Sequence, residues 1–185
     1  MVIRGRTSQK LLGAAMLVLS PWVDGLELSS LEQGWQLKVA TPELQTVAQS
    51  QTNGQFKYFG KTQDGLFISL HVASIPVAVQ SHQECIDHYW PNRSPSSLQV
   101  DLASINFSER PTFEAVTYNY RISHAQRTWD IPNAHFYFAI NGQCADLHVG
   151  ASPRYPKFHQ LIQILADSLQ VSAKPLVAQV GSADR

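Results

Sequence analysis

The chain is short of cysteine, of unbalanced charge and of long apolar runs, and each shortage excludes something. Two cysteines in 185 residues, Cys85 and Cys144, cannot form a Cys-x-x-Cys motif, and no His-Glu-x-x-His segment occurs, so the common zinc spacings are missing. Fourteen basic and fourteen acidic side chains leave a formal net charge of zero, which removes any broad electrostatic pull toward nucleic acid or anionic lipid. No apolar run reaches the roughly 20 residues that a membrane-spanning helix requires. No serine sits in a Gly-x-Ser-x-Gly elbow, and the ten glycines are scattered rather than gathered in a phosphate-binding loop. Serine-hydrolase and nucleotide chemistry therefore lack support, and no cofactor is expected.

What is present begins with an address. Arg4, Arg6 and Lys10 precede the apolar run Leu11 to Leu19, followed by Pro21 and the small-residue site Val23-Asp24-Gly25. A basic start, a short apolar segment and a small residue at its end predict a secretory signal peptide over residues 1–25, cleaved before Leu26. The run is too short for an uncleaved anchor. With no cysteine directly after it, a lipid anchor is not expected either. Residues 26–172 suffice for one domain with a single core. The end of the chain, SAKPLVAQVGSADR, lacks periodicity, and residues 173–185 read as a flexible tail. The expected location is secreted or periplasmic, with no membrane insertion after cleavage. In such an oxidising compartment Cys85 and Cys144 are most simply one disulfide; a free nucleophilic thiol is the alternative.

Along the chain, GWQLKVATP alternates Trp35, Leu37 and Val39 on one side and stops at Pro42, as a first strand would. The polar stretch TPELQTVAQSQTNGQ reads as an irregular crossing or a short helix. QFKYFG and LFISLHVASI form a hairpin about Asp64-Gly65. HQECIDHYW is a short helix after a Ser81 cap with Glu84 three residues on. PNRSPSSLQVDLASINFSERP is loop with room for one strand. FEAVTYNYRI places Val116, Tyr118, Tyr120 and Ile122 on one face of a half-buried strand. RTWDI, HFYFAI and QCADLHV read as three more strands. In PKFHQLIQILADSLQV, Pro156 suits a first helical turn, and Phe158, Leu161, Ile162, Leu165 and Leu169 recur at helical spacing. The fold class expected is α+β, an antiparallel sheet flanked by helices.

This order of segments, from GWQLKVATP through the hairpin, the helix HQECIDHYW and the strands ending in QCADLHV to the amphipathic last helix, resembles the PsbP-like fold. That fold is named for an extrinsic photosystem II subunit and shared by DcrB-like envelope proteins and a Ran-binding import factor. The resemblance spans roughly residues 34–171 and implies an α/β/α sandwich. Because members are mostly binding or assembly proteins, it also implies a non-catalytic role. It carries over no functional residue.

The stretch HFYFAI-NG-QCADLHV allows a sharper expectation. Asn141-Gly142 suits a two-residue hairpin turn, which sets Ile140 opposite Gln143 and fixes every later pair. Phe136, Phe138, Leu147, Ala145 and Val149 then share a core face. On the other face Ala139 opposes Cys144, Tyr137 opposes Asp146 and His135 opposes His148. A Cys85–Cys144 bridge, which requires alpha carbons within about 7 Å, would lay the short helix over that second face. His82, His88 and Tyr89, three and four residues from Cys85, would then point at the sheet.

Tyr137, Asp146, His148, His135 and His88 are thus the candidate binding residues. A carboxylate and imidazoles on facing elements are suitable metal ligands, so a metal-binding or metal-dependent protein using His135, His148 and His88 is the alternative. A cysteine triad on one strand fails, because Cys144 and His148 lie about 13 Å apart at strand spacing. The favoured function is non-catalytic binding or accessory action through contact with another envelope or secreted protein.

Overall fold

The computed structural model describes residues 25–52, 54–75, 78–93, 99–124, 127–153, 155 and 157–174. The expected signal peptide, but for Gly25, lies outside the described residues, as do Pro156 and the chain beyond Lys174.

Among the described residues the chain forms two antiparallel sheets and two helices. The smaller sheet has three strands in the order β1-β2-β10, with β1 at Leu26–Ser30, β2 at Trp35–Val39 and β10 at Gln170–Ala173. The larger has seven in the order β3-β4-β5-β9-β8-β7-β6. Its strands are β3 (Gln45–Thr52), β4 (Gln55–Lys61), β5 (Leu66–Ala73), β6 (Gln99–Arg110), β7 (Phe113–His124), β8 (Arg127–Ile140) and β9 (Gln143–Ala151). Helix α1 spans His82–Arg93 and α2 spans Phe158–Ser168.

The period-two alternation read from the sequence builds the main core. Leu66, Ile68, Leu70 and Val72 of β5, Phe136 and Phe138 of β8, and Leu147 and Val149 of β9 form one apolar face of the large sheet. Trp35, Leu37 and Val39 of β2 and Phe158, Leu161 and Leu165 of α2 cover it. The opposite face is covered in part by α1, where Val79, Cys85, Ile86 and Tyr89 pack on Val116, Tyr118, Tyr137 and Cys144. The layers are therefore α1, the large sheet, and α2 with the small sheet, as the sandwich reading implied.

The Asn141-Gly142 turn stands as expected. Both residues have positive φ, 49° and 73°, and β8 pairs with β9 in the register Ile140↔Gln143, Ala139↔Cys144, Tyr137↔Asp146, His135↔His148. The cap on α1 also forms. Ser81 Oγ accepts from the Glu84 amide at 3.3 Å, and a Glu84 carboxylate oxygen accepts from the Ser81 and Gln80 amides at 3.3 and 2.7 Å.

Four segments differ from expectation. Residues 45–52 are an edge strand rather than a crossing or helix, and all eight side chains are exposed, so no burial pattern marks them. RTWDI and HFYFAI belong to one strand, β8. Pro132 is tolerated inside it because β9 pairs only with Asn133–Ile140, leaving the proline nitrogen a side without a neighbouring strand. The region read mainly as loop contains the twelve-residue β6, whose register to β7 shifts between Asp101 and Asn106. Finally, α2 stops at Ser168. Leu169 turns extended (φ −63°, ψ 116°), and Gln170–Ala173 pair with β2, where the helix end and the start of the tail had been expected.

Candidate functional site

The second face of the large sheet carries the polar side chains. Cross-strand register sets His71, Asp146, Tyr137 and Glu114 in one row across β5, β9, β8 and β7, and Ser69, His148, His135 and Val116 in the next. Cys85 and Cys144 are joined, their alpha carbons 5.3 Å apart, and this bridge ties α1 to β9 one row beyond His71 and Asp146, where Cys144 lies between Ala73 and Ala139.

At the centre lies His135, 1% exposed, as is Asp146. His135 Nδ1 is 2.8 Å from Asp146 Oδ1 and its Nε2 is 2.9 Å from the Tyr118 hydroxyl, which donates onward to Tyr120 at 3.2 Å. Its ring stacks on His148 with centroids 4.1 Å apart and on Tyr137 at 5.6 Å. His148 Nε2 is 2.9 Å from the Asn133 side-chain oxygen. Above them, Tyr89 of α1 stacks on Tyr137 at 6.1 Å and meets the His71 ring at 6.0 Å.

Of the five residues expected here, His135, His148, Tyr137 and Asp146 come together. His88 is exposed, and its ring meets the edge of Tyr89, 5.0 Å away. The cause is helical phase. The buried stripe of α1 runs through Cys85, Ile86 and Tyr89, and His88 falls about 100° to one side of its centre at 100° per residue. His82 is half-buried and turned toward Gln80, Pro111 and Thr112 at the end of the sheet.

Sequence reasoning assigned Tyr118 to packing alone and did not single out His71 or Asn133. Alternation in LFISLHVA puts His71 on the face away from Leu70 and Val72. Its neighbour Asp146 follows only from the pairing of β5 with β9, which no local pattern encodes.

A carboxylate, an imidazole and a phenol in a chain could polarise a nucleophile, but the cysteine on this face is not one. Cys144 is held in the disulfide, and the chain ends on Tyr120, a half-buried phenol. Metal binding by His135 and His148 fits poorly. Both nitrogens of His135 are engaged within the seam, and two rings within 2° of parallel direct their lone pairs along parallel planes rather than onto one ion. Among the described residues no group of three or more His, Cys, Asp or Glu side chains converges as an ion site. The network is a buried polar fastening between strands.

Glu114, at the end of the row, faces Glu109 directly across β6 and β7. Burial holds its carboxyl above the ordinary carboxylate value, and Glu109 pushes the same way, while His82 opposes and Asp87 adds to the rise.

With this geometry the chain falls in the α+β class of PsbP-like sandwiches. The solution structure of cyanobacterial PsbP (CyanoP) from Synechocystis sp. PCC 6803 is similar in fold, with a TM-score of 0.50 and 14% sequence identity over 87% of this chain and 99% of that one. No protein-family model and no curated protein sequence matches the chain.

Proposed function

We propose that the chain is a non-catalytic binding or accessory protein that acts through contact with another protein outside the reducing cytoplasm. The observation that carries this reading is the state of the large sheet's two edges. Among the described residues neither β3 nor β6 has a further strand beside it, and both edges expose large apolar surface: Val47 on β3 (50%), and Leu102 (76%) and Phe107 (49%) on β6. The acid–base groups of the histidine seam, in contrast, face inward under α1 and are spent on one another. The disulfide and the signal-like start of the chain support a secreted or periplasmic setting. The role of most PsbP-like proteins in binding or assembly points the same way.

The test is a turnover screen of the purified protein against generic ester, peptide and phosphate substrates, with His135→Ala and His148→Ala in parallel. No turnover above the uncatalysed rate is expected. Turnover that disappears in either variant overturns the reading.

A further inference from the structure

Edge strands in soluble proteins are ordinarily protected by charge, by proline or by cover. β3 has none of these along Gln45–Thr52: its sequence QTVAQSQT contains no charged residue and no proline, and every residue is exposed. A register shift between Thr46 and Ala48 is the one irregularity, which leaves Ala48 to Thr52 as a regular edge.

The surface beside that edge is shaped. Lys57, Phe59 and Lys61 of β4 point to the α1 side of the sheet, opposite the buried Phe56 and Tyr58, and the two lysines and half-buried Phe59 keep exposed surface there. The two lysines, about 13 Å apart at strand spacing, are exposed, and neither forms an ion pair among the described residues. Between them Phe59 lies 6.1 Å from Phe67, whose ring meets His148 at 5.3 Å, giving an aromatic floor. Ala48, Ser50 and Ser69 are small, so a cavity of about 350 Å³ opens between the β3 edge, Phe59 and His71.

Resting on the reading of this chain as a protein-contact module, we propose that β3 accepts an extended segment of another protein as an eighth strand of the large sheet. That segment carries an acidic, an apolar and an acidic residue at alternate positions. Main-chain hydrogen bonds to the open edge supply the affinity, and side chains on one face supply the selection. The apolar residue lies beside Ala48 and enters the cavity over Phe59; one acid lies beside Ser50, within reach of its register partner Lys57, and the other runs past the register shift toward Gln45 and its partner Lys61. Charge decides against a second copy of this chain as occupant. Two β3 strands paired antiparallel would set four lysines on one face with no acid between them, whereas an acidic segment satisfies them.

The test uses the purified protein and a fluorescein-labelled eight-residue peptide of alternating glutamate and valine, followed by fluorescence anisotropy. Two control peptides replace glutamate by lysine or methylate alternate backbone nitrogens. Saturable binding is expected for the glutamate peptide alone, weakened at least tenfold by Lys57→Glu with Lys61→Glu, and weakened by Ala48→Trp, which fills the cavity. Melting temperatures near that of the parent will show that these surface variants remain folded. Absence of saturable binding, equal binding of the lysine peptide, or unchanged affinity in the charge-reversed protein overturns the assignment. So does a dimer in sedimentation velocity that Gln49→Pro dissolves, since a second copy would then hold the edge. These outcomes are separate from the turnover screen: a silent peptide with no turnover removes this edge and leaves contact elsewhere, such as β6, whereas turnover lost in His135→Ala removes the contact reading itself.

Discussion

The imidazoles of His135 and His148 lie face to face across β8 and β9, with centroids 4.1 Å apart and planes within 2° of parallel. Stacking of this kind follows from direct cross-strand opposition on a face that α1 partly closes. It makes the pair a fastening rather than a pair of pincers. Addition of excess Zn²⁺ to the metal-free protein is accordingly expected to leave its melting temperature unchanged. A site filled at a hundred times its dissociation constant would instead stabilise by about 2.7 kcal/mol, and a rise of that size would revive the metal reading.

Removing members of the fastening should cost unequal amounts. Asp146→Ala leaves His135 Nδ1 buried without its hydrogen-bond partner and should destabilise by about 3 kcal/mol. Tyr118→Phe removes the hydroxyl's hydrogen bonds to His135 and Tyr120 and keeps the ring, for about 1 to 2 kcal/mol. Urea unfolding of the two variants beside the parent measures both. A Tyr118→Phe cost equal to that of Asp146→Ala would mean that the phenol, not the carboxylate, organises the seam.

The bridge between Cys85 and Cys144 closes a loop of 59 residues in sequence. The chain-entropy account assigns about 4 kcal/mol to a crosslink of that span. Replacing both cysteines by serine should therefore lower unfolding stability by that order, and alkylation without reduction should label neither thiol in the parent. A loss under about 1 kcal/mol would show that Ile86 and Tyr89 hold α1 on the sheet unaided.

How much of this could be read from residues alone depended on whether a local signal fixed the geometry. Asn141-Gly142 determined the β8–β9 register, and with it the faces of His135, Tyr137, Cys144, Asp146 and His148. Ser81 and Glu84 likewise marked the start of α1. Where the signal is burial, exposure erases it: β3 is exposed throughout, and β10 buries no side chain fully. Where the signal is distant, local pattern is silent. Nothing in LFISLHVA indicates that β5 will pair with β9, so the place of His71 beside Asp146 became legible only with the strand order. The exposure of His88 was illegible for a subtler reason, since spacing to Cys85 alone does not give the centre of the helix's buried stripe.

The β8–β9 turn also joins the two sheets. The Asn141 side-chain amide donates to the backbone carbonyls of Gln33, at 3.2 Å, and Gly34 in the β1–β2 turn. Asn141→Asp keeps a residue that tolerates positive φ but replaces the donor by an acceptor facing two carbonyls, and should cost about 2 kcal/mol. Gly142→Ala introduces only backbone strain, about 1 kcal/mol, because the new methyl would meet Ala78 at an ordinary 3.6 Å. Thermal unfolding of both ranks them. If Gly142→Ala proves the more damaging, the turn matters for its conformation and not for its link to the small sheet.

Glu114 gives the chain a pH dependence of definite sign. Its folded-state carboxyl sits above the ordinary value, first through burial and next through Glu109 opposite, so the folded protein holds this proton more tightly than the unfolded chain does. The group's contribution to stability is therefore most favourable below the unfolded value near 4.5 and declines as pH rises through the folded value. Glu114→Gln removes the charge that burial and Glu109 penalise, and should stabilise at pH 7 by at most about 1 kcal/mol, the scale of a like-charge cross-strand pair. At pH 3.5, where the parent's carboxyl is protonated, the two proteins should unfold alike. Urea titrations at both pH values measure the difference. A variant less stable than the parent at pH 7 would mean that the attraction to His82 outweighs burial and repulsion together.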